Sequence, residues 1–321
     1  MGIIGAGGMG AFHADTLHAL AGVSVRAVSD PHRPNAAAVR DRVGASIVDD
    51  PADLIGSDEI DGLVIASPDE THADFTIAAV RRGLPTLCEK PLATVATDAW
   101  RVVDAEITAG RRLVQLGFMR EYDPAHRQVR AALNDLGAID YVRAVHRNAN
   151  HVPRPIDQIV GQSMVHDIHT VRHLTAAEVT SVRASGSGPS DGSYRHVVAL
   201  CELSDGAHAI LEFDDGGFAY EVAVEVLATD GDVLTGGPVR PVLRRDGSAG
   251  VHLGTDWFGW FADAYRIQDQ AWVEAVRTAS CTGPSTWDGA TAQVVVDAIL
   301  ESLASGRTVD IDPQVRPELY A

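Results

Sequence analysis

A chain of 321 residues is long enough for two domains, each with its own buried core. Its 44 acidic against 26 basic side chains leave a formal charge of −18, which opposes a phosphate backbone and excludes a nucleic-acid reader. No apolar run reaches the ~18–20 residues of a membrane-spanning helix. Cys88, Cys201 and Cys281 lie too far apart for a CxxC pair or a disulfide framework, and the start MGIIGAGGMG lacks the basic flank of a secretory signal, so a cytoplasmic protein is expected.

The first 116 residues alternate short β-branched runs with Ala-rich helical stretches. Strands are expected at Gly2–Ile4, Val23–Val28, Ile47–Val48, Gly62–Ala66, Thr86–Cys88 and Leu113–Gln115. Helical patterns fill Ala11–Ala21, Asn35–Val43, Ala73–Arg82 and Thr94–Ala109. This alternation predicts a parallel sheet covered on both faces. The first strand is short, and a few further residues are expected upstream of it.

After Gly117 the texture changes. A helix at about Pro124–Asn134 leads into a strand, Tyr141–Asn148, and then to a short helix near Ser163–Leu174. Extended runs at Val179–Ser185, His196–Leu203, His208–Phe213 and Tyr220–Ala228 are separated by SDG, DDGG and TDGD turns, the pattern of antiparallel hairpins. Helices near Phe258–Thr278 and Asp288–Ser305 finish the chain. GSGPSDGS (186–193) and Gly236–Gly250 read as surface loops. The expected domains are residues 1–118, binding a dinucleotide, and 119–321, binding substrate and making the oligomer contacts.

Gly5-Ala6-Gly7-Gly8-Met9-Gly10 fits GxGxxG between a strand and a helix. The first Gly makes the turn, the second lets a pyrophosphate approach the backbone, and the third allows helix to pack on strand. Gly5, Gly7, Gly8, Met9 and Gly10 are the expected cofactor loop, with the side chains of Met9 and Phe12 packing. The next strand ends at Asp30, where a carboxylate accepts hydrogen bonds from an adenosine ribose. The same carboxylate repels a 2′-phosphate and favours NAD over NADP, although Arg33 lies close by.

Of the 26 cationic side chains 25 are Arg and one is Lys, Lys90, at a predicted strand end in LCEKPL. Ligands of open parallel sheets bind beyond such ends. An ammonium is compact and can lose its proton when buried, whereas a guanidinium stays charged. A single retained Lys therefore points to a chemical need, the plainer alternative being a surviving surface residue.

GIIGAGGMGAFHA, VSDPHR, ASPDETHADFTIAAVRRGLPTLCEKPLA and QLGFMREYDPAH together resemble the Gfo/Idh/MocA oxidoreductases, in particular their inositol 2-dehydrogenases. The likeness continues through VHRNANHVP, SMVHDIHTVRHL, FADAYRIQDQAWVEAV and GPSTWDGATAQ. It implies a Rossmann domain followed by an α/β domain with a large, mostly antiparallel open sheet. It further implies NAD(H), a small polyol or sugar as the substrate, and a homodimer or homotetramer. By this resemblance Ser67, Pro68 and His72 of SPDETH, with Glu89, belong to the cofactor loops, and Lys90 lies against the reacting hydroxyl.

His166 matches the family's catalytic His; an imidazole titrating near neutrality can take the hydroxyl proton. His169 and His173 follow on the same helix face. Three such histidines also raise a metal site, but no Cys lies near and Asp167 points elsewhere, so no metal is expected. Similar inositol dehydrogenases carry Asp where this chain has Gln162 and His169. Gln can hold a hydroxyl or orient His166, but it is not a base. These departures argue against myo-inositol itself and toward another cyclitol, a sugar, or a keto-sugar. Arg120, His146, Asn148, Tyr220, Trp257 and Tyr265 match segments that line the polyol pocket in similar enzymes. For Arg120 the alternative is a surface ion pair, and for Trp257 core packing. The resulting expectation is an NAD-dependent oxidoreductase that interconverts a secondary hydroxyl and a ketone, with Lys90, His166 and Gln162 catalytic. The alternatives are a biosynthetic keto-sugar reductase and a non-catalytic NAD-binding sensor.

Overall fold

The computed structural model describes residues 1–149, 154–188, 194–235 and 257–321, and of 236–256 only the backbone of two short strands. Two compact units result. One comprises Met1–Phe118, Tyr265–Val294 and Val315–Ala321; the other comprises Met119–Ala264 and Val295–Gln314. The chain passes from the first to the second after residue 118. Parts of the last two helices and the C-terminal tail belong with the first unit by compactness.

The first unit is built on β1 (Gly2–Ile4), β2 (Ala27–Ser29), β3 (Ser46–Ile47), β4 (Leu63–Ile65), β5 (Thr86–Cys88) and β6 (Val114–Leu116). They form one parallel sheet in the order β3-β2-β1-β4-β5-β6, the strand order of a dinucleotide-binding Rossmann fold. The connecting helices are α1 (Gly8–His18), α2 (Arg33–Val43), α3 (Pro51–Gly56), α4 (His72–Arg82) and α5 (Ala96–Ala109). Strands β1, β2, β4, β5 and β6 are buried throughout, as a sheet covered on both faces must be. Gly44, Gly83 and Gly110 end α2, α4 and α5 in the left-handed conformation that L side chains avoid. Two local expectations are corrected. The second strand is only Ala27–Ser29, not Val23–Val28. The short α3 was unforeseen, although Asp50 accepts from the Ala52 N–H and Pro51 starts the helix.

The second unit starts with α6 (Pro124–Ala132), capped by the Asp123 side chain on the His126 N–H, and β7 (Ile139–Arg147). After α7 (Ile156–Gln158) comes a π-helical stretch, Ile159–Met164, that runs into α8 (Val165–Thr175). Then follow β8 (Val179–Ser187), β9 (His196–Leu203), β10 (His208–Asp214), β11 (Glu221–Ala228), β12 (Gly231–Leu234), β13 (Val242–Arg245) and β14 (Ser248–Val251). The chain ends with α9 (Trp257–Thr278), α10 (Thr286–Ser305) and β15 (Val309–Asp310). Seven of these strands make one sheet, β12-β11-β7-β10-β9-β8-β15. It is mostly antiparallel, as expected, except that β7 and β10 run parallel at its centre. Alternate residues of β9 and β11 are buried, so one face of the sheet carries the core. Gly236–Gly250 is not simply a loop: β13 and β14 pair there as an antiparallel hairpin. Residues 189–193 of the other expected loop lie outside the described residues, and β8 extends to Ser187.

Candidate active site

In the first unit the glycine loop follows β1 directly. Gly5 has φ +90°, and a Cβ there would lie 2.3 Å from the Ala66 carbonyl oxygen. At Gly10 a Cβ would lie 1.8 Å from the Gly5 oxygen, which is the close helix-on-strand packing the motif requires. At Gly7 and Gly8 a Cβ would meet nothing within 4 Å, so open space faces the middle of the loop, above the N-terminus of α1. Asp30 braces this loop: one carboxylate oxygen accepts from the Ala6 N–H at 2.6 Å and the other from the His32 N–H at 2.7 Å. An ionised carboxylate has about four acceptor positions, so two remain for ribose hydroxyls. Arg33 is in an ion pair with Asp49, so its charge is already matched. These residues fit a dinucleotide without a 2′-phosphate.

The other cofactor-side residues lie at the ends of neighbouring strands. Ser67 and the exposed Pro68 follow β4, with the Ser67 hydroxyl 2.6 Å from that of Thr71. His72 is buried, its ring nitrogens 2.7 Å from the Pro91 carbonyl and 2.9 Å from the Ser67 carbonyl. It therefore ties the loop after β4 to the loop after β5. Glu89 and the half-buried Lys90 follow β5. The Glu89 carboxylate is buried, 3.0 Å from the His13 ring and accepting from the Lys90 N–H at 3.2 Å. Tyr265 is fully buried in this unit, edge-on to Phe12 at 5.3 Å and to His13 at 6.3 Å.

In the second unit the π-helical stretch carries Gln162 and α8 carries His166 on its first turn. A π turn holds one more residue than an α turn, which resets the phase of the side chains ahead of α8; such turns recur at functional sites. His166 is buried and Gln162 half-buried. Asp167, which sequence reading set aside, is the centre of a buried cluster. It pairs with the Arg120 guanidinium at 2.5 Å and with His146 Nδ1 at 3.1 Å, while Arg120 lies 3.2 Å from the same nitrogen. Arg120 is thus neither exposed nor in a surface pair; its ion pair is internal. The Asp167 carboxyl is held below its ordinary range by Arg120 and His146, against the opposing effect of burial. Burial pulls the His146 imidazole down, and Arg120 and Arg154 add to this, against the pull of Asp167.

Tyr220 lies edge-on to His146 at 5.8 Å and to Trp260 at 5.5 Å. Trp257 instead stacks on Phe258 at 3.7 Å. Asn148 donates to buried Asp215, which also receives Arg154; Arg154 reaches on to Ser163, next to Gln162. His169 and His173 both face Glu121, at 2.7 and 3.2 Å. Burial resists the ionisation of Glu121, but the two imidazoles overcome it and hold the carboxyl far below its usual range. Among the described residues no cluster of His, Cys, Asp and Glu is arranged to hold a metal ion, and no helix is long and apolar enough to cross a membrane. Sequence reading missed His13, Glu121, Arg154, Asp167, Asp215 and Asp269 as members of these clusters. Only Asp167, adjacent to His166, carried a local signal.

A Rossmann sheet with a glycine loop and a ribose-side Asp, joined to an α/β unit with a buried polar cluster, defines a dinucleotide-dependent oxidoreductase. Residues 1–118 match the family model described as oxidoreductase family, NAD-binding Rossmann fold, and residues 133–311 match its C-terminal alpha/beta domain. The chain is 37% identical over its whole length to inositol 2-dehydrogenase 2 of Saccharopolyspora erythraea, covering 98% of that protein. It is 36% identical to inositol 2-dehydrogenase of Rubrobacter xylanophilus, with 100% and 95% of the two chains covered. A crystal structure of myo-inositol dehydrogenase from Lactobacillus casei, in complex with NAD(H) and myo-inositol, superposes with a TM-score of 0.95. It shares 28% identity, with 100% of this chain and 98% of that one covered. The chain belongs to the Gfo/Idh/MocA oxidoreductase family. It is a dehydrogenase, and its cofactor is NAD.

Proposed function

We propose that this enzyme oxidises a secondary hydroxyl of a cyclic polyol of the inositol class to the ketone. The observation that carries this reading is the end-to-end likeness to inositol 2-dehydrogenases, including one crystallised with NAD(H) and myo-inositol. Bound NAD supplies the acceptor for the electrons that leave the carbinol carbon. The glycine loop and Asp30 hold its pyrophosphate and ribose. Lys90 polarises the substrate oxygen as an ammonium, and His166 takes the hydroxyl proton as general base. Gln162 orients His166 or the hydroxyl but does not act as a base, because an amide does not titrate.

His169 serves recognition through Glu121. With the imidazole hydrogen-bonded to that carboxylate, this part of the unit presents a joined His–Glu pair rather than a lone acceptor, which sets the preference among cyclitols. A panel of inositol stereoisomers and sugars, followed by NADH absorbance, tests the assignment. The expected result is turnover of at least one cyclitol that falls by at least about 100-fold in His166→Ala and is lost in Lys90→Met. Activity confined to keto-sugars with NADH as reductant would instead make the enzyme a reductase. Near-normal turnover in Lys90→Arg would remove the role given to the amine.

A further inference from the structure

Behind Lys90 the first unit buries a row of charges that the reaction as described does not use. His13 lies on α1, three residues after Gly10, and its ring is fully buried. Nδ1 is 3.0 Å from both carboxylate oxygens of Asp269 on α9, and Nε2 is 3.0 Å from Glu89 Oε1. Ionised carboxylates only accept, so both ring nitrogens must carry hydrogen, and the imidazolium meets that demand while a neutral ring does not. Burial works against this charge, but Asp269 and Glu89 outweigh it and push the imidazole up to about 10. Glu89 uses its second oxygen on the Lys90 N–H, and Gly117 leaves it room, since a Cβ there would lie 2.9 Å from its carboxylate.

The groups acting on Glu89 are His13 from α1, His72 from α4 and Lys90 itself. Next to it the Cys88 thiol, pushed up to about 12 by burial, stays protonated. Asp269, His13 and Glu89 thus form one chain of contacts; Glu89 binds the backbone N–H of Lys90, and the Lys90 side chain acts on it through its charge.

We propose that Glu89, held by His13 and Asp269, is a positioning residue for Lys90 that keeps its side chain as an ammonium facing the substrate oxygen. The inference rests on the polarising role given to Lys90 above. Its logic is electrostatic. A carboxylate anchored at the base of the lysine favours the charged amine, and it does so only while His13 spares it from taking up a proton in a buried setting. Because α1 also carries the glycine loop, the same three residues tie the amine's position to that of the cofactor site.

The test uses the fact that the sequence contains one Lys. Reductive methylation with ¹³C-formaldehyde labels Lys90, apart from the separately resolved α-amino group, and NMR then titrates it directly in the folded enzyme. In Glu89→Gln the Lys90 pKa is expected to fall by about one unit or more, because the charged amine loses its neighbour. Glu89→Ala supplies the same arm should Gln fold poorly. In His13→Gln the Lys90 signal is expected to show an added step near neutral pH, as the carboxylate beside it takes up a proton. An unchanged Lys90 pKa in the folded Glu89 variants overturns the proposal, and a missing step in His13→Gln removes His13 from it. These readouts need no turnover. Normal activity in Lys90→Arg would thus refute the catalytic reading separately from the positioning chain.

Discussion

Each unit buries a histidine against a carboxylate, and the two histidines arrive at opposite charge states. In the first, His13 stands between two carboxylates, Asp269 and Glu89, and is held protonated to about 10. In the second, one carboxylate, Asp167, is shared between His146 and Arg120, and burial leaves the His146 imidazole below its ordinary value. Distances are similar, 3.0 Å in one case and 3.1 Å in the other, so contact geometry does not decide the outcome. The ratio of charges does. Two anions outweigh the desolvation of one imidazolium; one anion already matched by a guanidinium does not.

The comparison breaks most sharply at His13. His13→Leu leaves two carboxylates buried without their cation and is expected to cost about 4 kcal/mol in urea unfolding. The same charge gives a pH signature. His13 has a folded pKa raised above the ordinary 6.5, so its contribution is complete below about pH 6.5 and is lost as pH rises toward about 10. Stability of the wild type is expected to decline across that window relative to His13→Gln, measured by denaturant midpoints at each pH. Parallel curves for the two proteins would show that the imidazole is neutral when folded.

Asp167→Asn comes next, at about 3 kcal/mol, because it strands the buried Arg120 guanidinium. Asp167 has a lowered pKa and His146 a lowered one too, so both lose their contribution as pH falls, through the acid side and not the alkaline side. The smallest effect is expected for His146→Gln, about 1 kcal/mol, since a neutral imidazole gives up a hydrogen bond while Arg120 still covers Asp167. A loss as large as that of His13→Leu would erase the distinction between the two clusters.

Much of the fold was legible. The βα alternation, the glycine loop and Asp30 fixed a parallel sheet and its cofactor end, because those features depend on local turn chemistry and on side-chain period. In the second unit the SDG and TDGD turns do close hairpins, β9 with β10 and β11 with β12, but the DDGG turn does not: β7 lies between β10 and β11 in the sheet. Turn signals could not show that β7 and β10 pair in parallel, since strand order follows long-range packing rather than any local pattern. The candidate site was legible where a motif sits in one stretch, as at Lys90 and His166. It was not legible at His13, whose partner Asp269 lies 256 residues away. Arg120 was read as a hydroxyl ligand or a surface pair; its burial beside Asp167 was beyond any sequence signal.

The sequence by itself determined that Lys90 differs from every other cation in the chain, and that it follows a strand where dinucleotide folds place their chemistry. Residue type and local spacing suffice for that, because an ammonium and a guanidinium differ in themselves. Only the tertiary structure decided what stands behind that lysine. A carboxylate, an imidazolium and a second carboxylate from three distant segments meet in a buried space, and there each fixes the charge of the next.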